Sequence, residues 1–574
     1  MHSTTRVTRL SVALIFSVFS LVTSAAIAEA FAGQTTRVSV SSSGVTADGS
    51  ASSAVVSADG RYAVFASAAT NLRDGVVTTG THVYRHDRTT GRTVLVSVTP
   101  AGAPGNDVSR DPSVSADGRF VVFGSFATDL VDGDTNVRQD VFVRDMVTGT
   151  TRLVSGATEG VVGLAGASSL SGLSGAREIT DDGRYIVFNS FATNLVAGVT
   201  NGTHHVYVKD MTTGAVVRAS VNDAGEPGNR PSVQPAISGD GRVVAFQSTS
   251  TNFTSSPLFN SAQIFVRQLP DGPTTLETPA AAAAARRSAV PTLSYDGRYL
   301  AFESDAPLDT ADLDNGTSDI FLRDREARTT VLASLSPNAV SGAFSARPSI
   351  SGDGRWVVFD SLDELLVDGD LGGHNDVFLY DRDARTVVLV SRNDAGEQAN
   401  GPSGLVAGGA SVSSNGQVVL FGSLATNLVA APAPSGSNQL YVRKMVDDTP
   451  PPPPPAQVTF QWLAPVGDTF SVNRNLPVKF TVHNLEGAAV LDTSVQVDVV
   501  DATGAVVAGT YAFGDQPSRS VMWTNDIYHV NVDTRSLEPG MYWLRVRFSS
   551  STLSAEFTLA TNATASAVRS RLRD

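Results

Sequence analysis

A short turn recurs along this chain at nearly even spacing, and few folds accommodate that. It reads Asp59-Gly60-Arg61, Asp117-Gly118-Arg119, Asp182-Gly183-Arg184, Asp240-Gly241-Arg242, Asp296-Gly297-Arg298, Asp353-Gly354-Arg355 and, last, Asn415-Gly416-Gln417. Successive copies lie 58, 65, 58, 56, 57 and 62 residues apart. An Asp-Gly or Asn-Gly pair between alternating apolar runs signals a hairpin, because both central residues tolerate positive φ. The run after each turn reaches a phenylalanine: Phe65, Phe123, Phe188, Phe246, Phe302, Phe359 and Phe421. A ring at one fixed place in every copy is what packing between equivalent neighbouring sheets requires.

The stretch from Asp111 to Ser155 shows the whole unit. Strand A (Pro112 to Ser115) leads through the Asp-Gly turn into strand B (Phe120 to Ser125). A long loop then reaches strand C (Val141 to Asp145), and Thr148-Gly149 turns it into strand D (Thr151 to Ser155). A lone four-stranded meander cannot bury both faces, so units of this length predict the blades of an all-β, seven-bladed β-propeller. The seventh unit runs into proline where its fourth strand should stand. Thr36 to Val40, followed by Gly44, matches Thr93 to Val98, followed by Gly102. The N-terminal segment is therefore expected to complete blade seven and remove a free sheet edge.

Composition narrows the compartment and the partners. The net charge of -14 argues against nucleic acid, whose phosphates need a basic surface. Cysteine is absent, so neither disulfides nor thiolate metal sites are available. Arg6 and Arg9, the apolar run Leu10 to Val22 and the small-residue pattern near Ala26 to Ala32 have the form of a secretory signal. That run is short for a membrane span, so no membrane insertion is expected after cleavage. A monomeric protein of the secreted, periplasmic or cell-envelope space follows from this reading.

Units such as PSVSADGRFVVFGS and DVFVRDMVTGTTRLVS resemble the WD40-like repeats of TolB-type β-propellers, over roughly Thr35 to Asp447. Related propellers cap prolyl-peptidase catalytic domains, but this chain contains no Gly-x-Ser-x-Gly elbow. Six prolines, Pro450 to Pro455, form a polyproline II spacer. Beyond them, Val478 to Val482, Val495 to Val500, Tyr528 to Val532, Tyr542 to Phe548 and Phe557 to Leu559 alternate as strands. Together with Pro477, Lys479 and Phe480, and with Leu537 to Tyr542, this stretch resembles the small immunoglobulin-like domain named for its Pro-x-Lys-Phe signature. Such a resemblance implies a non-catalytic sandwich without the cysteine pair. The expected layout is a signal peptide (1–32), the propeller (33–447), the linker (448–456), the sandwich (457–560) and a disordered tail (561–574).

Candidate chemistry falls on one side of the propeller. B–C and D–A loops are long and varied, whereas A–B and C–D turns are tight, and binding residues favour loops on a rigid scaffold. Blade two carries Asp132, Asp134, Asn136 and Asp140; blade six carries Asp368, Asp370 and Asp376; blade five carries Asp312, Asp314 and Asp319. Oxygen ligands at alternate loop positions suit Ca²⁺. The EF-hand glycine and glutamate are missing, however, and Asp and Gly also dominate ordinary turns. The residues before strand C (His82, Asp140, His205, Gln263, Asp319, Asp376, Gln439) form a second polar set, read as strand-start hydrogen bonders. Arg110, Arg177, Arg230 and Arg347 near strand A are candidate holders of an anionic ligand. His204, His205 and Gln263 invite comparison with oligogalacturonate-lyase-type propellers, whose metal sites use His and Gln, but the ligand pattern does not extend further. The expectation is a non-catalytic binding or scaffold protein for a protein or polysaccharide. A polysaccharide-active enzyme on the same face is the alternative.

Overall fold

The computed structural model describes residues 33–445, with breaks at 135, 157–167, 171–176, 197–201, 255–260, 279–285, 313–315, 337–342, 371–372, 405–408, 432 and 435. It also describes strand segments between 459 and 560. The expected signal peptide, proline spacer and tail lie outside the described residues, as does Asp314. Two compact units divide after Val446.

The first unit is a seven-bladed β-propeller: seven four-stranded antiparallel sheets in chain order. In blade two, strands A to D are Ser109–Val114, Phe120–Ser125, Asp140–Asp145 and Thr150–Leu153. Strand B falls where expected, and strand A starts three residues earlier. Blade seven is closed by the N-terminal segment. Gln34–Arg37 pairs antiparallel with Gln439–Lys444, matching Gln34 to Lys444 and Arg37 to Tyr441. The Thr35 hydroxyl donates to the Arg392 carbonyl at 2.8 Å and accepts from Arg443 at 2.9 Å. Such closure leaves no open sheet edge between first and last blades.

The seven phenylalanines are all fully buried. Each meets a ring on its own strand C: Phe123 with Phe142 at 5.9 Å, Phe188 with Tyr207 at 5.8 Å, Phe421 with Tyr441 at 6.0 Å. Offset aromatic pairs of this kind add to the area they bury.

The Asp-Gly turn differs from the expected one. Only its glycine takes positive φ, for example Gly60 at 72° and Gly118 at 70°. The Gly60 amide donates to the Ser57 carbonyl, while Asp59 Oδ1 accepts from the Arg61 amide at 2.9 Å and from the Ser57 hydroxyl. A four-residue turn ending in a left-handed glycine lets the aspartate cap the next strand, which the two-residue primed turn would not. Glycine is required for a second reason. A Cβ on Gly118 would lie 2.1 Å from the Tyr62 ring of the preceding blade, and one on Gly416 would lie 2.2 Å from Trp356.

The blades are joined on both sides. At the tight-turn side, backbone bonds run from blade to blade: Ala116 to Asp181, Asp181 to Gly239, Asp240 to Tyr295, Tyr295 to Gly352, Asp353 to Ser414 and Ser414 to Ala58. At the long-loop side, the first strand-A amide of blades one to six, and Ser403 ahead of strand A in blade seven, donates to the residue before strand C of a neighbouring blade. Examples are Ser109 to Thr81, Ser403 to Asn375 and Ala51 to Asn438.

The second unit contains two sheets. One holds Thr459–Ala464, Asn475–His483, Met522–Thr524 and Ile527–Asp533. The other holds Thr469–Ser471, Gln496–Val500, Val506–Ala512, Gly540–Arg547 and Thr552–Ala560. The five expected strands are present with ends shifted by up to about three residues, except that the last begins at Thr552 rather than Phe557. Among the described residues, four strands escaped the reading: Thr459–Ala464, Thr469–Ser471, Val506–Ala512 and Met522–Thr524, of which two are three residues long and Val506–Ala512 is interrupted by Gly509.

Candidate functional site

The polar set at the start of strand C has one shared role. Each member meets a hydroxyl of its own fourth strand region: Asp140 accepts from Ser155 at 2.6 Å, Asp319 from Ser334 at 2.9 Å and Asp376 from Ser391 at 2.5 Å. Gln263 accepts from Thr278 at 2.7 Å and Gln439 from Ser39 at 2.7 Å; His82 and His205 stand 3.5 Å and 3.4 Å from Ser97 and Ser220. These hydroxyls in turn accept strand-C amides, as Ser155 does from Val141 at 3.0 Å. The set is a seven-fold strand clasp. His205 is held down to about 4, by burial first and then by Arg218 and His204, so it is a neutral ring at ordinary pH. Gln263 also donates to the Arg286 carbonyl at 2.8 Å, which ties it into the wall.

The acidic loops assemble in pairs. In blade two, the Asn136 amide bridges Asp140 Oδ2 at 2.7 Å and Asp134 Oδ1 at 3.4 Å. Burial, then the charge of Asp140, raises Asp134 to about 6, and burial also raises Asp140. In blade six the matching carboxylates, Asp370 and Asp376, share the Gln398 amide at 2.6 and 2.9 Å. Burial raises Asp376 to about 6. In both blades an amide N–H₂ stands between the carboxylates where a cation would have to sit. Asp132 and Asp368 are exposed and outside these pairs. Among the described residues, no group of three acidic or histidine side chains is placed to hold a metal.

The four arginines occupy different levels. Arg110 is exposed, donates to Gln139 Oε1 at 3.2 Å and lies 5.6 Å from the Phe126 ring centre. Arg177 pairs with Asp181 beside a small cavity at the tight-turn end of the axis, also lined by Ser113, Thr292, Ser349 and Ser411. Arg230 is exposed on a D–A loop, its amide held by Ser250 at 3.2 Å. Arg347 has a φ of 55° on the innermost strand of blade six, and its amide donates to Glu303 Oε1 at 2.8 Å. No common anion site results.

That left-handed residue belongs to a pattern invisible in the sequence. Ser53, Asp111, Gln234, Val290 and Arg347 all take φ near 50° at the same bulge of the innermost strand. Non-glycine residues pay for this conformation, which a rigid surround must enforce. Beside them lie two buried acids that the sequence reading passed over, Glu303 and Asp360. Asp360 is fully buried, and burial raises it to about 7 despite Arg347 nearby. Asn375 Nδ2 donates to the Ser403 carbonyl at 2.6 Å and reaches Asp360 Oδ2 at 3.3 Å. Asp360 Oδ1 and Asn375 Oδ1 are left without partners. The readable signal was an acid inside an otherwise apolar strand, in WVVFDS and YLAFES.

The long-loop side also exposes large apolar side chains: Val45, Val76, Val77, Val137, Phe344, Leu362 and Leu365, between 38% and 85% exposed. They belong to blades six, one and two and to the hairpin joining seven to one.

No protein-family model matches the chain, and no curated protein matches it. Solved structures that are similar include a protein called TolB in Agrobacterium tumefaciens, at 15% identity and a TM-score of 0.29, covering 69% of this chain and 90% of that one. A puromycin-hydrolysing peptidase of Mycobacterium tuberculosis is similar at 14% identity and a TM-score of 0.40, over 80% of this chain and 62% of the peptidase. The WD40 repeats of RRP9 are similar at 9% identity and a TM-score of 0.37, over 72% of this chain and 97% of theirs.

Proposed function

We propose that this chain is an exported, non-catalytic binding or scaffold protein that engages a protein partner through the long-loop side of its propeller. The observation that carries the reading is the exposed apolar set Val45, Val76, Val77, Val137, Phe344, Leu362 and Leu365 on that side. Apolar side chains grouped on one face of a folded domain mark interaction surfaces. The buried titratable groups nearby are already engaged, the strand-C set with hydroxyls and the buried loop carboxylates with amides, whereas Asp132, Glu364 and Asp368 stand exposed. That leaves surface recognition as the chemistry the face supports best. Export rests on the basic, apolar and small-residue order of the first 32 residues. The second unit, read as the Pro-x-Lys-Phe-type sandwich, serves as a spacer.

Capture from envelope extract of producing cells tests this, comparing the wild type with Val77→Asp, Val137→Asp and, on the opposite side, Val147→Asp. Loss of capture in the first two and retention in the third is expected. The reverse pattern sinks the reading.

A further inference from the structure

The long-loop face is uneven, and one corner of it is built for a particular partner. We infer that the corner of blade six formed by Phe344, Leu362 and Leu365 docks a protein segment that presents an apolar side chain flanked by arginine or lysine. This rests on the protein-binding reading above and names the partner's chemistry.

Three observations converge there. First, the apolar groups come from two chain segments that are hydrogen-bonded side by side. The Leu362 amide donates to the Phe344 carbonyl at 3.1 Å, and the three side chains are 38%, 44% and 51% exposed. Second, the platform is rigid. Leu366 is buried in the core between blades five and six, and the Leu365 amide is held by Asp363 Oδ1 at 2.9 Å. A preformed surface spares the ordering cost of binding. Third, the surround is acidic. Glu364 and Asp368 are exposed beside the leucines, and the chain carries a net charge of -14. Exposed carboxylates next to apolar anchors favour a partner of the opposite sign and speed its approach.

The same position in the other blades does not offer this. Leu362 corresponds to Ala68, Phe126, Phe191, Thr249 and Asp305, and to Leu424, which is half-buried where Leu362 is exposed. Arg110 covers Phe126, and His204 meets Phe191 edge-on at 4.9 Å. With those two rings engaged by neighbouring side chains, the exposed ring of this face is Phe344, and it stands beside two exposed leucines rather than polar groups, which favours a protein segment over a glycan.

Fluorescence anisotropy on the full chain tests the inference with short labelled peptides carrying a central Leu-Phe pair, flanked by Arg, by Ser or by Glu. The Arg-flanked peptide is expected to bind most tightly. Leu365→Asp and Leu362→Asp should weaken it by about tenfold or more, and Glu364→Ala with Asp368→Ala by less, with a salt-dependent remainder. Val147→Asp should leave it unchanged. No binding by the Arg-flanked peptide, equal binding by the Glu-flanked one, or indifference to Leu365→Asp overturns the inference. If that happens while Val77→Asp still abolishes capture from envelope extract, the face is right and the partner class is wrong. If Val147→Asp alone abolishes capture, both readings fall.

Discussion

The two sides of the propeller are made from the same seven units and obey different rules. On the tight-turn side, nearly every blade repeats the same contacts. Arg61, Arg119, Arg184, Arg298 and Arg355 each reach the aspartate that ends their strand C, at 2.7 to 2.9 Å, and lie over the ring of the residue that follows them. On the long-loop side, equivalent positions hold Ala66, Gly124, Asn189, Gln247, Glu303, Asp360 and Gly422. Repetition marks what the ring needs in order to close. Departure from repetition marks what individual blades do beyond closing it.

The comparison breaks most visibly if closure is removed. Deleting Thr35 to Val40 strips blade seven of its outer strand, and thermal unfolding should show a loss of about 4 kcal/mol or more, beyond what ordinary point substitutions do. An unchanged melt would show that the ring closes without that strand.

Asp360→Asn probes the varied side. The folded protein keeps this carboxyl protonated up to about pH 7, whereas the unfolded chain releases the proton near 4. The folded state therefore binds more protons over that window. The group's contribution is fully present below the unfolded value and is lost as pH rises through about 7. Denaturant titrations should show wild-type stability falling with pH between about 4 and 7, by up to about 1.4 kcal/mol per unit, and a flatter profile in the asparagine variant. Parallel profiles would mean that Asp360 is ionised in the fold.

Asp381→Ala, on the repeated side, removes the partner of Arg355 and the cap on the Asp383 and Ala384 amides. A loss of about 1–3 kcal/mol is expected. Arg242→Ala should cost no more than about 0.5 kcal/mol, because blade four ends strand C with Gln268 and Arg242 is largely exposed. Similar losses in the two variants would erase the distinction.

The smallest effect concerns the acidic loop. Asp132→Ala should leave stability within about 0.5 kcal/mol, and Ca²⁺ calorimetry should give no heat with either protein. Heat in the wild type alone would restore Asp132, Asp134 and Asp140 as a metal site despite the Asn136 bridge.

Much of this molecule was legible in the residues. The spacing of seven glycines and seven phenylalanines specified blade count and core, because φ-permissive turns and a buried ring recur only where identical sheets stack. The match of Thr36 to Val40 with Thr93 to Val98 located the closing strand to within about three residues of Gln34–Arg37. Those are local properties, carried by side-chain size and backbone freedom at fixed intervals. The arginine–aspartate ties could also have been read, since Asp87, Asp145, Asp210, Asp324 and Asp381 each follow their arginine by 26 residues.

The rest waited on tertiary structure. Spacing suggested oxygen ligands in Asp132, Asp134, Asn136 and Asp140, and only the fold put an amide between two of the carboxylates. In blade six that amide comes from Gln398, 22 residues beyond Asp376. Four arginines close to strand A in sequence came to rest at different levels: Arg230 precedes its strand, Arg177 lies beyond strand A of blade three, and Arg110 and Arg347 differ by one residue at the bulge. Asp360 looked like one acid in an apolar strand until the neighbouring blade buried it. Sequence alone determined that the chain is a ring of seven blades, since that follows from repeats each unit carries within itself. Which side chains meet, which are buried with their charge suppressed and which stand free for a partner were decided between blades, where contact depends on residues far apart in the chain.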